Sequence, residues 1–304
     1  MNVREVLTNL GYKDLYEDGK SFRTKPLYRE SDSDGVLCVY KDTGFFVDFS
    51  RQIKGPIEEL VRLSLNLSSR ADAKEWLNGK FTPTKTVTVN HNEKIICNNI
   101  YENNNLEKII PNHNYWTNKY IEENTIKLFE GGVDNGVERG RMRGRYVFPI
   151  FNSRKDIVGF SGRYLNEIPK NSKIFKWKHL GSVSDWVYPA FFNKKILKEK
   201  KEVILVEGIG DMISLWNAGI TNVLVTFGLN IQAGLLSYLI KIYSKKITIA
   251  LDGDERGKEG ALKIRLALLD YFDKEKISIT HPLDGKDFGD MTKEEIQNWG
   301  QNIE

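Results

Sequence analysis

Cysteine is nearly absent from this chain. Cys38 and Cys97 are the two in 304 residues. They make no disulfide framework and no repeated CxxC pair, which fits a reducing cytoplasm. The four histidines, at positions 91, 113, 179 and 281, have no metal-binding spacing. Long apolar runs are missing too, and none approaches the roughly 20 residues needed to span a bilayer. The amino terminus, MNVREVLTNLGYKD, has acidic residues and no continuous apolar stretch, so no secretory leader is expected. Charge of one sign is also lacking: 45 Lys+Arg stand against 41 Asp+Glu.

That overall balance conceals a division along the chain. Residues 139–200 hold 15 basic against 4 acidic side chains, residues 201–304 hold 12 against 16, and residues 1–138 hold 18 against 21. A basic block beside an acidic one suggests a polyanion groove facing a cation site. Charge runs are also common on plain solvated faces, so the division alone does not decide. Hydrophobic residues at 40% and charged residues at 28% are ordinary for a globular protein long enough for two or three domains.

The periodicities predict helices over 1–15 and 57–66, the second opened by Gly55-Pro56. Between them, VLCVY (36–40) and FFVDF (45–49) flank the turn 41–44 as a β-hairpin. Residues 81–110, rich in Asn, Thr and Lys, read as a linker with room for one short strand. A helix is expected over 115–129, then strands over 146–151 and 156–165. From 201 onward strand and helix alternate strictly: EVILVEG, GDMISLWNAG, TNVLVTFG, IQAGLLSYLIKIYS, KITIALDGD, GKEGALKIRLALLDYF and ISITHP. Such alternation predicts an α/β domain with a parallel sheet, in a chain that is α+β as a whole.

Four carboxylates follow the apolar runs of that region. Glu207 follows Val203–Val206, Asp252 and Asp254 follow Ile247–Leu251, and Asp287 lies beyond Ile277–His281. Strand ends of an open parallel sheet share one edge, where ligands bind. Asp-x-Asp in extended backbone places both side chains on one side. Carboxylates so gathered repel one another unless a cation lies between them, and hard oxygen donors suit Mg²⁺ or Mn²⁺. Two such ions serve phosphoryl transfer. A lone Asp-x-Asp is an ordinary loop feature; the pairing with Glu-Gly at another strand end is not.

VEGIGD (206–211) and LDGDERGKEGA (251–261) resemble the two signature segments of the TOPRIM domain, and HPLDGKDFGDM (281–291) is similar to the third acidic loop of primases. The resemblance implies that Glu207, Asp252, Asp254 and Asp287 hold the metals, with Glu207, Asp252 and Asp254 catalytic and Asp211 and Asp284 as supporting acids. Upstream, RYVFPIFNSRKDIVGFSGRYL (145–165) and YIEENTIKLFEGGV (120–133) resemble the catalytic core of DnaG-type primases, in the compact form of phage primases. On that match Arg145 and Arg163 face nucleotide phosphates and template, and Lys173 matches the lysine of the next motif. Lys176 and Lys178 are candidates by proximity. The segment GSVSDWVYPAF departs from the family, lacking the basic residue that usually precedes its aromatic turn.

Residues 25–63 have the layout of the primase zinc ribbon without its ligands: Lys25, Tyr28, Asp48 and Arg51 or its neighbours stand in their places. Zinc is therefore not expected, and Tyr40, Phe45, Phe46 and Phe49 with the leucines of 57–67 are expected to hold the module by packing. An unrelated α+β module remains the alternative. Cys38, in a strand pattern, reads as a small buried hydrophobe.

The domains expected are thus a template-binding module over 1–80, a linker over 81–110, a basic core subdomain over 111–200 and a TOPRIM domain over 201–304. The function implied is synthesis of short RNA primers from NTPs on single-stranded DNA, with a separate replicative helicase as partner. A topoisomerase needs more chain, and no G-x-x-x-x-G-K-[ST] marks an associated ATPase. The alternatives are a TOPRIM nuclease and a non-catalytic single-stranded DNA-binding accessory protein.

Overall fold

The computed structural model describes residues 2–31, 33–79, 100–134, 141–283 and 286–303. These form two compact units. The first holds the described residues up to 79 together with 236–245 and 266–277. The second holds the remainder. Cys97, His91, Asp284 and most of the expected linker lie outside the described residues.

The first unit opens with α1 (Val3–Asn9), capped by the Asn2 side chain. The helix expected over 1–15 stops early because Gly11 turns the chain at φ +95°. Five antiparallel strands follow in sequential order: β1 (Tyr16–Asp18), β2 (Ser21–Thr24), β3 (Leu37–Tyr40), β4 (Phe46–Asp48) and β5 (Ile53–Gly55). The β3–β4 pair is the expected hairpin, with Cys38 opposite Val47. Helix α2 (Ile57–Ser64) starts after Pro56, and α3 (Arg70–Leu77) is opened by a reciprocal Ser69–Asp72 capping box. Leu7, Leu37, Val39, Phe46, Leu60 and Val61 are fully buried between sheet and helices. Each such burial contributes roughly 1.5–3 kcal/mol against exposure. Phe46 joins this core while Phe45 is exposed, since neighbouring strand residues face opposite ways. Cys38 is buried, and burial pushes its thiol up to about 11.

Two arginines with buried side chains tie this unit together. Arg23 donates to Asp18 Oδ2 (2.9 Å), to the Gly35 carbonyl (3.2 Å) and to the Ile240 carbonyl (2.7 Å). Asp18 also accepts from the Asp273 N–H and the Lys276 ammonium. Arg29 grips Asp48 through both carboxylate oxygens, at 2.7 and 2.6 Å, and Tyr28 adds a third bond at 3.0 Å. Lys25 pairs instead with Asp34.

In the second unit, an antiparallel sheet runs in the order β10-β9-β8-β7-β6. Its strands are β6 (Ile109–Ile110), β7 (Gly132–Asp134), β8 (Arg145–Phe151), β9 (Ile157–Tyr164) and β10 (Trp177–Gly181). Gly132 is required where β7 meets β6, because a Cβ there would stand 2.2 Å from the Ile110 carbonyl oxygen. The end of the region read as linker is therefore folded, and Tyr101 also donates to Ile157. The helix expected over 115–129 is two short ones, α4 (Asn114–Thr117) and α5 (Glu123–Lys127). Tyr120 adopts φ +62° between them, and the Glu122 N–H bonds Asn217 Oδ1 at 2.8 Å, which restarts the helix in a new direction.

Helix α6 (Ala190–Lys200) leads into a second sheet of order β12-β11-β13-β14. β11 (Glu202–Val206) pairs in parallel with both β12 (Val223–Val225) and β13 (Lys246–Ile249), and β14 (Ile277–Ile279) is the far edge. The connecting helices are α7 (Ile209–Asn217), α8 (Ala233–Lys241) and α9 (Glu255–Leu268), with α10 (Lys293–Gln301) last; residues 236–241 of α8 and 266–268 of α9 belong to the first unit. This is the α/β sheet that the alternation predicts. One core runs from Phe129, Tyr146 and Phe148 through Val206 and Met212 to Phe288 and Trp299. No helix among the described residues is long and apolar enough to cross a membrane.

Candidate active site

The carboxyl ends of β11 and β13 deliver the acids. β11 ends at Val206, so Glu207 is the first residue of the loop into α7. Asp211 sits in the first turn of α7 and accepts from the Gly208 N–H at 3.1 Å, fixing that loop. Asp252 follows β13, and Asp254 accepts from the Gly257 N–H at 2.7 Å, capping α9. Gly257 has to be glycine, because a Cβ would lie 2.1 Å from the Asp252 carbonyl oxygen. Asp287 arrives from the loop beyond β14, and its Oδ1 is buried with no hydrogen-bond partner.

Glu207, Asp211, Asp252 and Asp287 line one cavity of about 320 Å³. Burial raises the Glu207 carboxyl, and the charges of Asp252 and Asp254 raise it further. Asp252 is raised by burial, then by Asp287 and Asp254. Asp211 stands well above the usual carboxylate range through burial, then through Asp252 and Asp287. Opposing this, Lys176 lowers both Glu207 and Asp252, and Arg256 lowers Glu207. The acids are mutually repelling and under-compensated, and Asp287 leaves one oxygen unmatched. That is the electrostatic form of a hard-cation site. Among the described residues no three potential ligands converge closely enough to hold one ion as they stand.

The wall opposite the acids is the face of the β9–β10 ladder. Ser161 pairs with His179 and Arg163 with Trp177, and all four line the cavity. Arg163 lies over the Tyr115 ring at 5.6 Å and donates to the Tyr164 carbonyl. Lys176 also lines the cavity. Lys173 is exposed and outside the wall, and Lys178 donates to the Arg141 carbonyl at 2.7 Å. Arg145 departs from its expected role facing phosphates. It is 6% exposed, and its guanidinium donates to the carbonyls of Gly162 (3.0 Å), Lys176 (3.2 Å) and Phe175 (2.8 Å). It straps the segment carrying Lys176 onto the sheet. The histidine spacing carries no metal pattern, and the cross-strand pairing that puts His179 in the wall depends on β10, which has no clear alternation.

A family model described as Toprim-like matches residues 204–292. The DNA primase of Staphylococcus epidermidis is 29% identical over 173 residues, covering 52% of this chain and 28% of that protein. That of Staphylococcus aureus is 33% identical over 135 residues, covering 42% of this chain and 21% of the relative. The aligned stretches are thus under a third of either relative. Among solved structures, the zinc-binding and RNA polymerase domains of Aquifex aeolicus primase match with a TM-score of 0.54 at 21% identity, covering 100% of this chain and 82% of that one. A DnaG primase catalytic domain bound to ssDNA matches with a TM-score of 0.53 at 20% identity, covering 62% and 69%. These two likenesses concern the fold.

Proposed function

We propose that this chain, a relative of the DnaG-type primases built on a TOPRIM domain, is a nucleotidyltransferase that copies single-stranded DNA into short RNA primers. The observation that carries the reading is the cavity itself, where acids from separate strand ends face Arg163 and Lys176 from the basic block. Neighbouring acids that raise one another favour a cation, while the opposite wall favours phosphate.

Glu207, Asp252 and Asp287 would hold Mg²⁺ or Mn²⁺, and the unmatched Asp287 oxygen and the hard donor set fit such ions; Asp254, exposed and outside the cavity lining, would join them from its capping position on α9. When bound, the ions supply charge neutralisation at the transferring phosphate and acidify the attacking hydroxyl. The chain's own residues do the rest. Lys176 and Arg163 receive the triphosphate, Arg145 holds the Lys176 segment rigid, and Asp211 fixes the Glu207–Gly208 turn. Lys173 is read as a further contact to template on the open surface.

Residues 1–80 are read as a zinc-free ribbon that meets the template, with the Arg29–Asp48–Tyr28 cluster supporting the region where ribbon ligands would stand. Residues 111–200 and 201–304 are read as the basic core subdomain and the TOPRIM domain, and a separate replicative helicase as the partner. The deciding experiment incubates the protein with single-stranded templates, labelled NTPs and Mg²⁺ or Mn²⁺. Labelled RNA primers are expected. Template cleavage without RNA would replace this reading with a TOPRIM nuclease, and binding alone with an accessory protein.

A further inference from the structure

Ser161 is fully buried on β9, and its hydroxyl meets His179 Nδ1 at 3.1 Å. Among the described residues that hydroxyl has no other hydrogen-bond partner. Were Ser161 the acceptor, its own proton would be buried without a partner, a cost that buried hydroxyls avoid. Ser161 therefore donates, Nδ1 accepts, and the proton of the neutral ring sits on Nε2. The ring is held edge-on between Trp186, at 5.8 Å, and Phe227, at 5.4 Å. His179 is an exposed residue of β10, but its ring is partly desolvated by its neighbours, and that desolvation and then the charge of Arg145 hold the imidazole below its ordinary value. Nε2 has no partner among the described residues, and His179 lines the acid cavity.

Arg163 and His179 lie on one face of the β9–β10 ladder, diagonal across the pair, since Arg163 stands opposite Trp177. Such diagonal neighbours are roughly 7–8 Å apart, within the length of a polyphosphate. A fixed N–H donor beside a guanidinium, across from a cation site, suits a phosphate oxygen better than a sugar hydroxyl or a base. We infer that His179 is a nucleotide-binding residue, its Nε2–H donating to a non-bridging phosphate oxygen of the incoming nucleoside triphosphate. This rests on the cavity being the nucleotide site of the function proposed above.

The test measures binding of ATP, AMP and adenosine to the whole protein in Mg²⁺, alongside primer synthesis. His179→Asn loses the Nε2 position, whereas His179→Gln can place an amide N–H there. His179→Asn should weaken ATP about ten-fold or more, as loss of a hydrogen bond to a charged group does, and raise KM for NTPs more than it lowers kcat. Adenosine binding should not change, and His179→Gln should restore most of the ATP affinity. Unchanged ATP binding in His179→Asn, an equal loss for adenosine, or no rescue by Gln overturns the inference. Should His179→Asn fail to fold, Ser161→Ala replaces it. That variant releases the tautomer and should weaken ATP by about three-fold; no change there overturns the inference as well. His179-dependent ATP binding in a protein that makes no primers would reject the synthesis reading and leave this one standing. Primer synthesis with ATP binding indifferent to His179 would do the reverse.

Discussion

In the first unit, the side chains of Arg23 and Arg29 are buried with Asp18 and Asp48, and every ion has its hydrogen bonds. At the cavity, Glu207, Asp211, Asp252 and Asp287 come together with Lys176 and Arg256 as the opposing cations, and Asp287 keeps an oxygen without a partner. The same chain thus treats its carboxylates in two ways, fully buried at Asp18 and Asp48 and half-buried at the cavity. Where charge is matched inside the protein, it holds strands in place and has nothing left to offer a ligand. Where it is left unmatched, folding is opposed, and the deficit becomes affinity for something from outside.

The sharpest way to break this comparison is to neutralise one acid at each place. Asp252→Asn and Asp254→Asn keep side-chain shape, and Asn at 254 retains the cap on α9. Primer synthesis should fall roughly 100-fold or more, as when one preorganised charge leaves a transition-state site. The fold should persist in circular dichroism. Near-normal synthesis in both would remove these acids from the chemistry.

In the module the expected result is reversed. Arg29→Ala leaves Asp48 buried and unpaired, so denaturant unfolding should show a loss of about 3–5 kcal/mol. Elemental analysis of the wild-type protein should find no stoichiometric zinc. Zinc that survives chelation, with unfolding on its removal, would mean that metal and not this ion pair holds the module.

A smaller effect links the cavity to pH. The raised carboxyls bind protons more tightly in the folded chain than in the unfolded one. Their contribution favours folding below the ordinary carboxylate range and is lost as pH rises toward the raised values. At pH 7–8 added Mg²⁺ should restore it, raising Tm by about 2–4 °C for each kcal/mol regained. Near pH 4 the gain should shrink as protons occupy the acids. A Mg²⁺ effect independent of pH, or its persistence in Asp252→Asn, would detach it from this cluster.

The least effect separates the two arginines of the basic sheet. Arg163→Ala should lower the slope of log affinity for single-stranded DNA against log salt by about one unit. Arg145→Ala should act on melting through its lost carbonyl bonds, with little change in slope. Equal slopes in both variants would place neither on a phosphate.

The alternation of strand and helix after residue 201, the hairpin of 37–48 and the acid-bearing strand ends were legible in the sequence, because period-two and period-3.6 burial and Asp-Gly turns are local signals. Strands β1, β2, β5, β7 and β10 and helices α3, α6 and α10 were not read. The strands among them are three to five residues long, too short to show a period. Nor did composition tell which basic residues face the cavity: Arg145 and Arg163 are alike in sequence, and only the β8–β9 register buries one and opens the other. By itself, then, the sequence determined which residue types the chemistry has at its disposal and which strands deliver them. Tertiary structure alone decided which charges are matched internally, as at Asp48, and which are not, as at Asp287, because matching depends on partners brought from elsewhere in the chain.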